Sequence, residues 1–122
     1  MHARRYFIKA MDSDSQRMGP ALYLIARVYS VENRAHGLSG EERLELRQRL
    51  SEPLMDKLHQ YLLEIREEVL PKSPEARAVR YALNQWEALN RFLKDGDLEI
   101  DNGATERANR DFATLNWPTS IL

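Results

Sequence analysis

The 122-residue sequence contains no cysteine, which excludes disulfide bonds and thiolate metal sites. It has only 5 glycines and 5 prolines, and few of them interrupt the segments whose apolar residues recur at helical spacing. No apolar run approaches the roughly 18 residues that a membrane-spanning helix needs. The charged start of the chain also lacks the apolar core of a signal peptide. These absences predict a mainly α protein in the cytoplasm, without a membrane partner.

Neither sign of charge dominates the composition. The chain has 18 basic and 19 acidic residues and a formal net charge of -1, so the whole molecule lacks the positive charge that drives nonspecific DNA binding. Any nucleic-acid contact would therefore be local. His2, His36 and His59 lie far apart in sequence and lack the spacing of a zinc site. No glycine-rich phosphate loop or Gly-x-Ser-x-Gly nucleophile turn is present.

Helical periodicity begins at the start of the chain. The spacing of apolar residues predicts a first helix over residues 2–11 and an amphipathic second helix over residues 16–35 that is ended by Gly37. Between them, a short run of aspartates and serines favours a break or a cap. The first helix is predicted to place Phe7, Ile8 and Met11 on one side and most of Arg4, Arg5 and Lys9 elsewhere.

A long helix is predicted to follow Gly37. Ser39 and Glu42 have the spacing of a capping box, in which each side chain accepts a hydrogen bond from the other residue's backbone amide. Pro53 lacks a backbone N–H and should kink or split the helix near Leu50.

One stripe of apolar residues continues through this helix. Its irregular spacing and mixed flanking charges favour an ordinary core-facing stripe over a strict coiled coil. The alternative is a noncatalytic helical protein-interaction or oligomerisation module, in which an exposed stripe of Leu50, Leu54, Leu58 and Leu62 pairs with another protein or with a second copy of the chain. The stripe consists of Leu46, Leu50, Leu54, Leu58, Leu62, Ile65 and Val69.

A last long helix is predicted to start at Ser73, with Pro74 at the first helical position, and to stop at Gly96. It should pack against the preceding long helix. The apolar face that supports this interpretation consists of Val79, Leu83, Trp86, Leu89 and Leu93.

The C-terminal part carries an acidic motif. Residues 98–101 alternate apolar and acidic side chains, which is typical of a very short strand or an extended link. Asn102 can cap a helix over about residues 103–114, which places Glu106 one turn in. On this local pattern, Glu106 is explained by the helix dipole and by a pair with Arg110 at i,i+4. A metal-ligand role is the alternative.

Four blocks of sequence carry a wider resemblance, namely residues 2–7, 70–73, 81–89 and 101–110. In this order they resemble a bacterial transposase family, the insertion-sequence group numbered sixty-six, and the similarity runs from residue 2 to about residue 117. The resemblance implies a DDE-type transposase with a ribonuclease-H-like catalytic core. In that family, two aspartates and a glutamate bind Mg²⁺ for DNA strand cleavage and joining, and Glu106 matches the catalytic, metal-binding glutamate.

The resemblance also implies a division of the chain. Residues 1–15 would be a remnant helix of the catalytic core, residues 16–96 a helical insertion region, and residues 97–122 a short strand and the glutamate-bearing terminal helix. The strands that carry the two aspartates would lie upstream of His2. The chain is therefore expected to hold an incomplete ribonuclease-H-like core, to bind Mg²⁺ weakly or not at all, and to be inactive alone.

Four arginines are candidates for contacts with DNA phosphates, because guanidinium groups suit bidentate phosphate recognition. For each of them, the alternative is a solvated helix face or a local ion pair, such as a pair with Glu106. The candidates are Arg4, Arg5, Arg107 and Arg110.

Overall fold

The computed structural model describes residues 2–100, which form helices and turns without a strand in that range. The mainly α prediction is confirmed, and the ribonuclease-H-like core stays a prediction. No helix in these residues is long and apolar enough to cross a membrane. The elements are α1 (His2–Ala10), α2 (Ser15–Ala35), α3 (Gly40–Leu46), a π-helical turn (Arg47–Ser51), α4 (Glu52–Ile65), α5 (Pro74–Asn84), α6 (Trp86–Leu89) and a 3₁₀ turn (Arg91–Leu93).

The central helix of the core is α2. It packs against both α1 and α4, while α5 packs mainly against α1. The N-terminus of α2 is capped by the side chain of Asp14, which accepts a hydrogen bond from the Arg17 amide at 3.2 Å. The Tyr61 hydroxyl of α4 donates to the Arg17 carbonyl oxygen at 2.7 Å, which joins the start of α2 to α4. The predicted first and second helices are thus confirmed within one residue at each end.

The predicted capping box is present at the start of α3. The Ser39 hydroxyl accepts from the Glu42 amide at 3.2 Å, and the Glu42 carboxylate accepts from the Ser39 amide at 3.2 Å. The cap at Ser73 and the position of Pro74 in the first turn of α5 are also confirmed. These starts follow from residues that act over one helical turn, and such starts can be predicted from sequence.

Replacing Ser39 with alanine should lower the free energy of unfolding by about 1 kcal/mol, because the first turn of α3 then loses its side-chain acceptor. Urea denaturation followed by circular dichroism measures the change. Ser15→Ala is the matched control, since Ser15 is an exposed first residue of α2 and not its cap; its effect should stay within about 0.5 kcal/mol. Equal losses in the two variants would contradict the capping role.

The split predicted near Leu50 is confirmed. The helix leaves α geometry over Arg47–Ser51 and resumes as α4 at Glu52, with Pro53 in its first turn. Proline has no N–H to donate, and its ring crowds the carbonyl group four residues earlier, so a wider π-helical turn upstream relieves both problems. Within this turn Arg47 is only 1% exposed.

The prediction of one helix from Ser73 to Gly96 is wrong. Helix α5 ends at Asn84, and the chain continues as α6 and the 3₁₀ turn. Gln85 leaves helical geometry with φ -101° and ψ 14°. In α6, the Trp86 carbonyl oxygen accepts from both the backbone amide and the side-chain amide of Asn90, at 3.1 and 2.7 Å. The predicted packing against the preceding long helix is confirmed in part. Helix α5 contacts α4 but packs mainly against α1, and Trp86 stacks on His59 of α4.

The leucine stripe lies in the core of its own chain. Leu54, Leu58 and Leu62 are 9%, 2% and 0% exposed, which confirms the core-facing interpretation. These three leucines do not form the exposed stripe that the oligomerisation alternative requires. Residues 97–100 form a turn and bends, and the predicted short strand is absent over them. The exposed Asp97 amide donates to the Asp95 side chain at 2.9 Å, as expected of a solvated acidic turn.

Candidate nucleic-acid interface and the segment before the acidic motif

The predicted site residues fall into two groups. Glu106, Arg107 and Arg110 lie outside the described residues, so their predicted roles stay predictions. Arg4 and Arg5 both lie on α1, where consecutive side chains point about 100° apart. Arg5 is exposed, whereas Arg4 is 0% exposed.

Arg4 belongs to the core and not to a solvated helix face, so that expectation is wrong for this residue. Its guanidinium carbon lies 4.1 Å from the centroid of the Tyr29 ring of α2, a cation–π contact. Burial lowers the pKa of Arg4 from its usual value, and the neighbouring Tyr29 partly opposes that shift. A long side chain can bury its charge where an aromatic face receives it, which the position of Arg4 in the sequence does not reveal.

Helices α1 and α5 run antiparallel across their interface. The Tyr6 and Tyr81 rings stack with centroids 4.5 Å apart and planes at 24°. Near the other end of the interface, the Ser13 hydroxyl donates to the Glu75 carboxylate at 2.6 Å. Residue numbers therefore rise on one helix as they fall on the other, and the tyrosine pair lies at the surface between them.

Four exposed cations lie beside this tyrosine pair. They follow helical spacings of three and four, and each lies on the outward side of its helix. Sequence reasoning identified only the first of them as a phosphate candidate. The missed signal was that both helices have arginine or lysine at exposed positions and an acidic residue at none of them. These residues, called the basic face below, are Arg5 and Lys9 on α1 and Arg77 and Arg80 on α5.

A second arrangement holds the end of the described chain. Arg47 donates from Nε and Nη2 to the two carboxylate oxygens of Glu32, at 3.0 and 2.7 Å. Its Nη1 donates to the carbonyl oxygens of Phe92 and Asp95, each at 3.1 Å. One buried guanidinium thus joins α2 to the segment that follows α6.

Arg43, one helical turn before Arg47, continues this attachment. Its Nη1 donates to the Gly96 carbonyl oxygen at 2.9 Å and its Nη2 to the Leu38 carbonyl oxygen at 3.0 Å. Gly96 lies directly against the Gly40 backbone, and a Cβ at Gly96 would overlap the Gly40 carbonyl oxygen. The segment after α6 is therefore held against the start of α3 a few residues before the acidic motif.

The described residues do not provide a metal site. Within residues 2–100, no group of three or more His, Asp or Glu side chains is placed to hold a metal ion. His59 instead stacks on the half-buried Trp86, with centroids 4.6 Å apart and planes at 13°. Residues 2–100 therefore do not show a carboxylate set for a divalent metal such as Mg²⁺.

A family model for the Transposase IS66 family matches residues 1–116. The chain therefore belongs to a family of transposases, and that family is the IS66 transposase family. This confirms the resemblance carried by the four sequence blocks, and the match extends over both the helical region and the acidic motif.

Three relatives from Sinorhizobium fredii (strain NBRC 101917 / NGR234) are similar to the chain. The uncharacterized protein y4jD is 34% identical over 113 residues, which cover 92% of this chain and 22% of the relative. The uncharacterized protein y4hP is 36% identical over 131 residues, covering 95% of this chain and 24% of the relative. The uncharacterized protein y4qI is 36% identical over 110 residues, which cover 89% of this chain and 20% of the relative. The chain thus spans less than a quarter of the length of these relatives, and no solved structure matches it.

Proposed function

We propose that the chain supplies the helical insertion region and the glutamate-bearing segment of a DDE-type DNA transposase. The observation that supports this proposal is the family match over residues 1–116, which includes the acidic motif with Glu106. In a complete transposase, Glu106 is the third carboxylate of a triad that binds a divalent metal, Mg²⁺, for cleavage and joining of DNA strands. Arg107 and Arg110 are candidates for phosphate contacts beside it.

The helical region has a positioning role in this proposal. Arg43 and Arg47 hold the backbone from Phe92 to Gly96 against α2 and α3. The acidic motif begins at residue 101, five residues after Gly96. A catalytic carboxylate must be held to within a fraction of an ångström by its surroundings, and a rigid support before the motif restricts where that motif can lie.

The 122 residues by themselves are proposed to be catalytically inactive. Metal-assisted phosphoryl transfer at a two-metal site needs several carboxylates around ions about 3.5–4 Å apart, and one glutamate cannot supply them. The described residues offer no further ligand cluster, and the similar relatives are more than four times as long. A noncatalytic oligomerisation module is not favoured, because Leu54, Leu58 and Leu62 are buried.

Incubation of the chain with supercoiled plasmid and Mg²⁺ or Mn²⁺ should produce no cleavage that depends on Glu106. Agarose gels measure nicked and linear products, with Glu106→Gln as the test variant and Glu99→Gln as the matched control, since Glu99 is an exposed carboxylate in the same part of the chain. Cleavage by the wild-type chain that is lost in Glu106→Gln and kept in Glu99→Gln would overturn the proposed inactivity.

The DNA before the Met1 codon provides a second test. An in-frame, translated segment with two strand-borne aspartates would supply the carboxylates that the proposal assigns to the rest of the transposase. The longer product would then be the protein to assay for DNA cleavage.

A further inference from the structure

The basic face has an unusual charge environment. Helix α1 contains no acidic residue, and the acid of α5, Glu75, is only 4% exposed and accepts a hydrogen bond from Ser13. Within residues 2–100, no carboxylate forms an ion pair with any of its four cations. The exposed Asp12 lies in the turn after α1, at the edge of this surface.

Some of the other arginines form ion pairs within the described residues. Arg17 pairs with Asp14 and Glu68, and Arg47 pairs with Glu32. The formal net charge of the whole chain is -1, so the composition does not explain why four exposed cations cluster on two adjacent helices without an exposed acid on either helix. Such a local excess of one sign creates a positive potential that attracts an anionic surface and not a neutral one.

The four cations lie on two helices that pack against each other. The Tyr6–Tyr81 stack fixes α1 and α5 side by side, so the cations form two rows on one surface. Arg77 is held further, because its Nη1 donates to the Lys72 carbonyl oxygen at 3.2 Å. A row of cations on each of two fixed helices suits a partner whose negative charges repeat regularly along a rigid surface.

We propose that the basic face binds the phosphate backbone of duplex DNA. Two of its arginines, Arg5 and Arg80, present exposed guanidinium groups that can bind a phosphate through paired N–H donors. The exposed Tyr6 lies between the two rows of cations and offers a hydroxyl donor. Contacts of this kind position a protein on DNA and carry little sequence information, so binding is expected to be independent of base sequence. This inference rests on the proposed function.

Fluorescence anisotropy of a short labelled duplex, titrated with the 122-residue chain in EDTA, measures this binding. If the face neutralises about four phosphates, the affinity should fall roughly 100-fold between about 50 and about 200 mM salt. In the test variant, all four cations of the basic face are replaced by glutamine. Its affinity at the lower salt should fall by about tenfold or more, with a much weaker salt dependence.

The matched control removes the same number of arginines and lysines from exposed positions on other elements. This variant changes the net charge equally, so its affinity should fall by no more than about threefold, the long-range effect of charge alone. Circular dichroism checks that both variants keep wild-type helix content. The control substitutions are Arg34→Gln, Arg49→Gln, Lys57→Gln and Arg91→Gln.

Three results would overturn the proposal. The first is the absence of duplex binding by the wild-type chain at the lower salt, and the second is an equal loss of affinity in the test and control variants. The third is displacement of the duplex by polyglutamate at equal concentrations of charge, which would assign the face to an acidic protein surface. Because EDTA prevents metal-dependent cleavage, none of these results bears on Glu106, and Glu106-dependent cleavage would not alter the binding results.

Discussion

Replacing Glu32 with glutamine should lower the free energy of unfolding by about 3–5 kcal/mol, because it leaves the buried guanidinium of Arg47 without its anionic partner. The hydrogen bonds from Arg47 to the carbonyls of Phe92 and Asp95 remain and place the loss toward the lower end of that range. Urea denaturation followed by circular dichroism measures it. Glu45→Gln is the control, since Glu45 is an exposed glutamate on α3 and its replacement should change stability by less than about 1 kcal/mol.

A double variant distinguishes the stability lost with the ion pair itself from the stability lost by leaving the buried charge of Arg47 uncompensated. Arg47→Met combined with Glu32→Leu removes both charges together, so it should be more stable than Glu32→Gln although it loses an additional hydrogen-bonding group. The two carbonyl groups that Arg47 bonds would lose that donor, so the double variant should remain less stable than wild type.

Hydrogen exchange gives the local measurement. The amides of residues 92–96 should exchange faster in the double variant, because Arg47 no longer attaches this segment to α2. Unchanged exchange in this segment would show that Arg47 does not hold the chain before the acidic motif.

Replacing Leu62 with alanine should lower the free energy of unfolding by about 2–5 kcal/mol, through lost apolar burial and the cavity left in the core. Leu62 is 0% exposed on α4, the helix that packs against α2. Chemical denaturation at several protein concentrations measures the loss. Leu70→Ala is the matched control, because Leu70 is 69% exposed and its truncation should change stability by about 0.5 kcal/mol or less.

The same experiment distinguishes the two interpretations of the leucine stripe. A core position lowers stability equally at every protein concentration, whereas an interface between copies makes the loss depend on concentration. Light scattering of the two variants completes the comparison. A concentration-dependent loss in Leu62→Ala, together with a change in oligomeric state, would contradict the core position.

The local parts of the fold were predictable. Phe7, Leu54 and Leu58 are buried where their helical spacing places them, and Ser39 caps α3 as its distance from Glu42 indicates. Each of these signals acts over one or two helical turns, so neighbouring residues contain the information. The split upstream of Pro53 is of the same kind, because a proline ring acts on its own helix.

The candidate site was only partly predictable. The acidic motif and the family could be identified from ordered blocks of sequence, and Arg5 was identified as a surface cation. The sequence did not connect it with Arg77 and Arg80, because α1 and α5 are far apart in the chain and lie side by side only in the folded protein. Lys9, one helical turn after Arg5, was missed although its spacing was visible in the sequence. The break after Asn84 was also missed. The segment after α6 is bound by Arg47, which donates to backbone groups 45 and 48 residues away in the chain.

The sequence by itself determined where helices begin and which leucines face inward, because short-range hydrogen bonds and helical spacing are properties of neighbouring residues. It also determined which family the chain resembles, through four ordered blocks of residues. Only the tertiary structure decided the environment of each arginine. Arg4 and Arg5 are adjacent in the chain, yet one lies against Tyr29 in the core and the other lies on the surface. The physical reason is that a guanidinium is buried only where packed elements supply aromatic faces, carboxylates or carbonyl groups to receive it, and those groups come from distant parts of the chain.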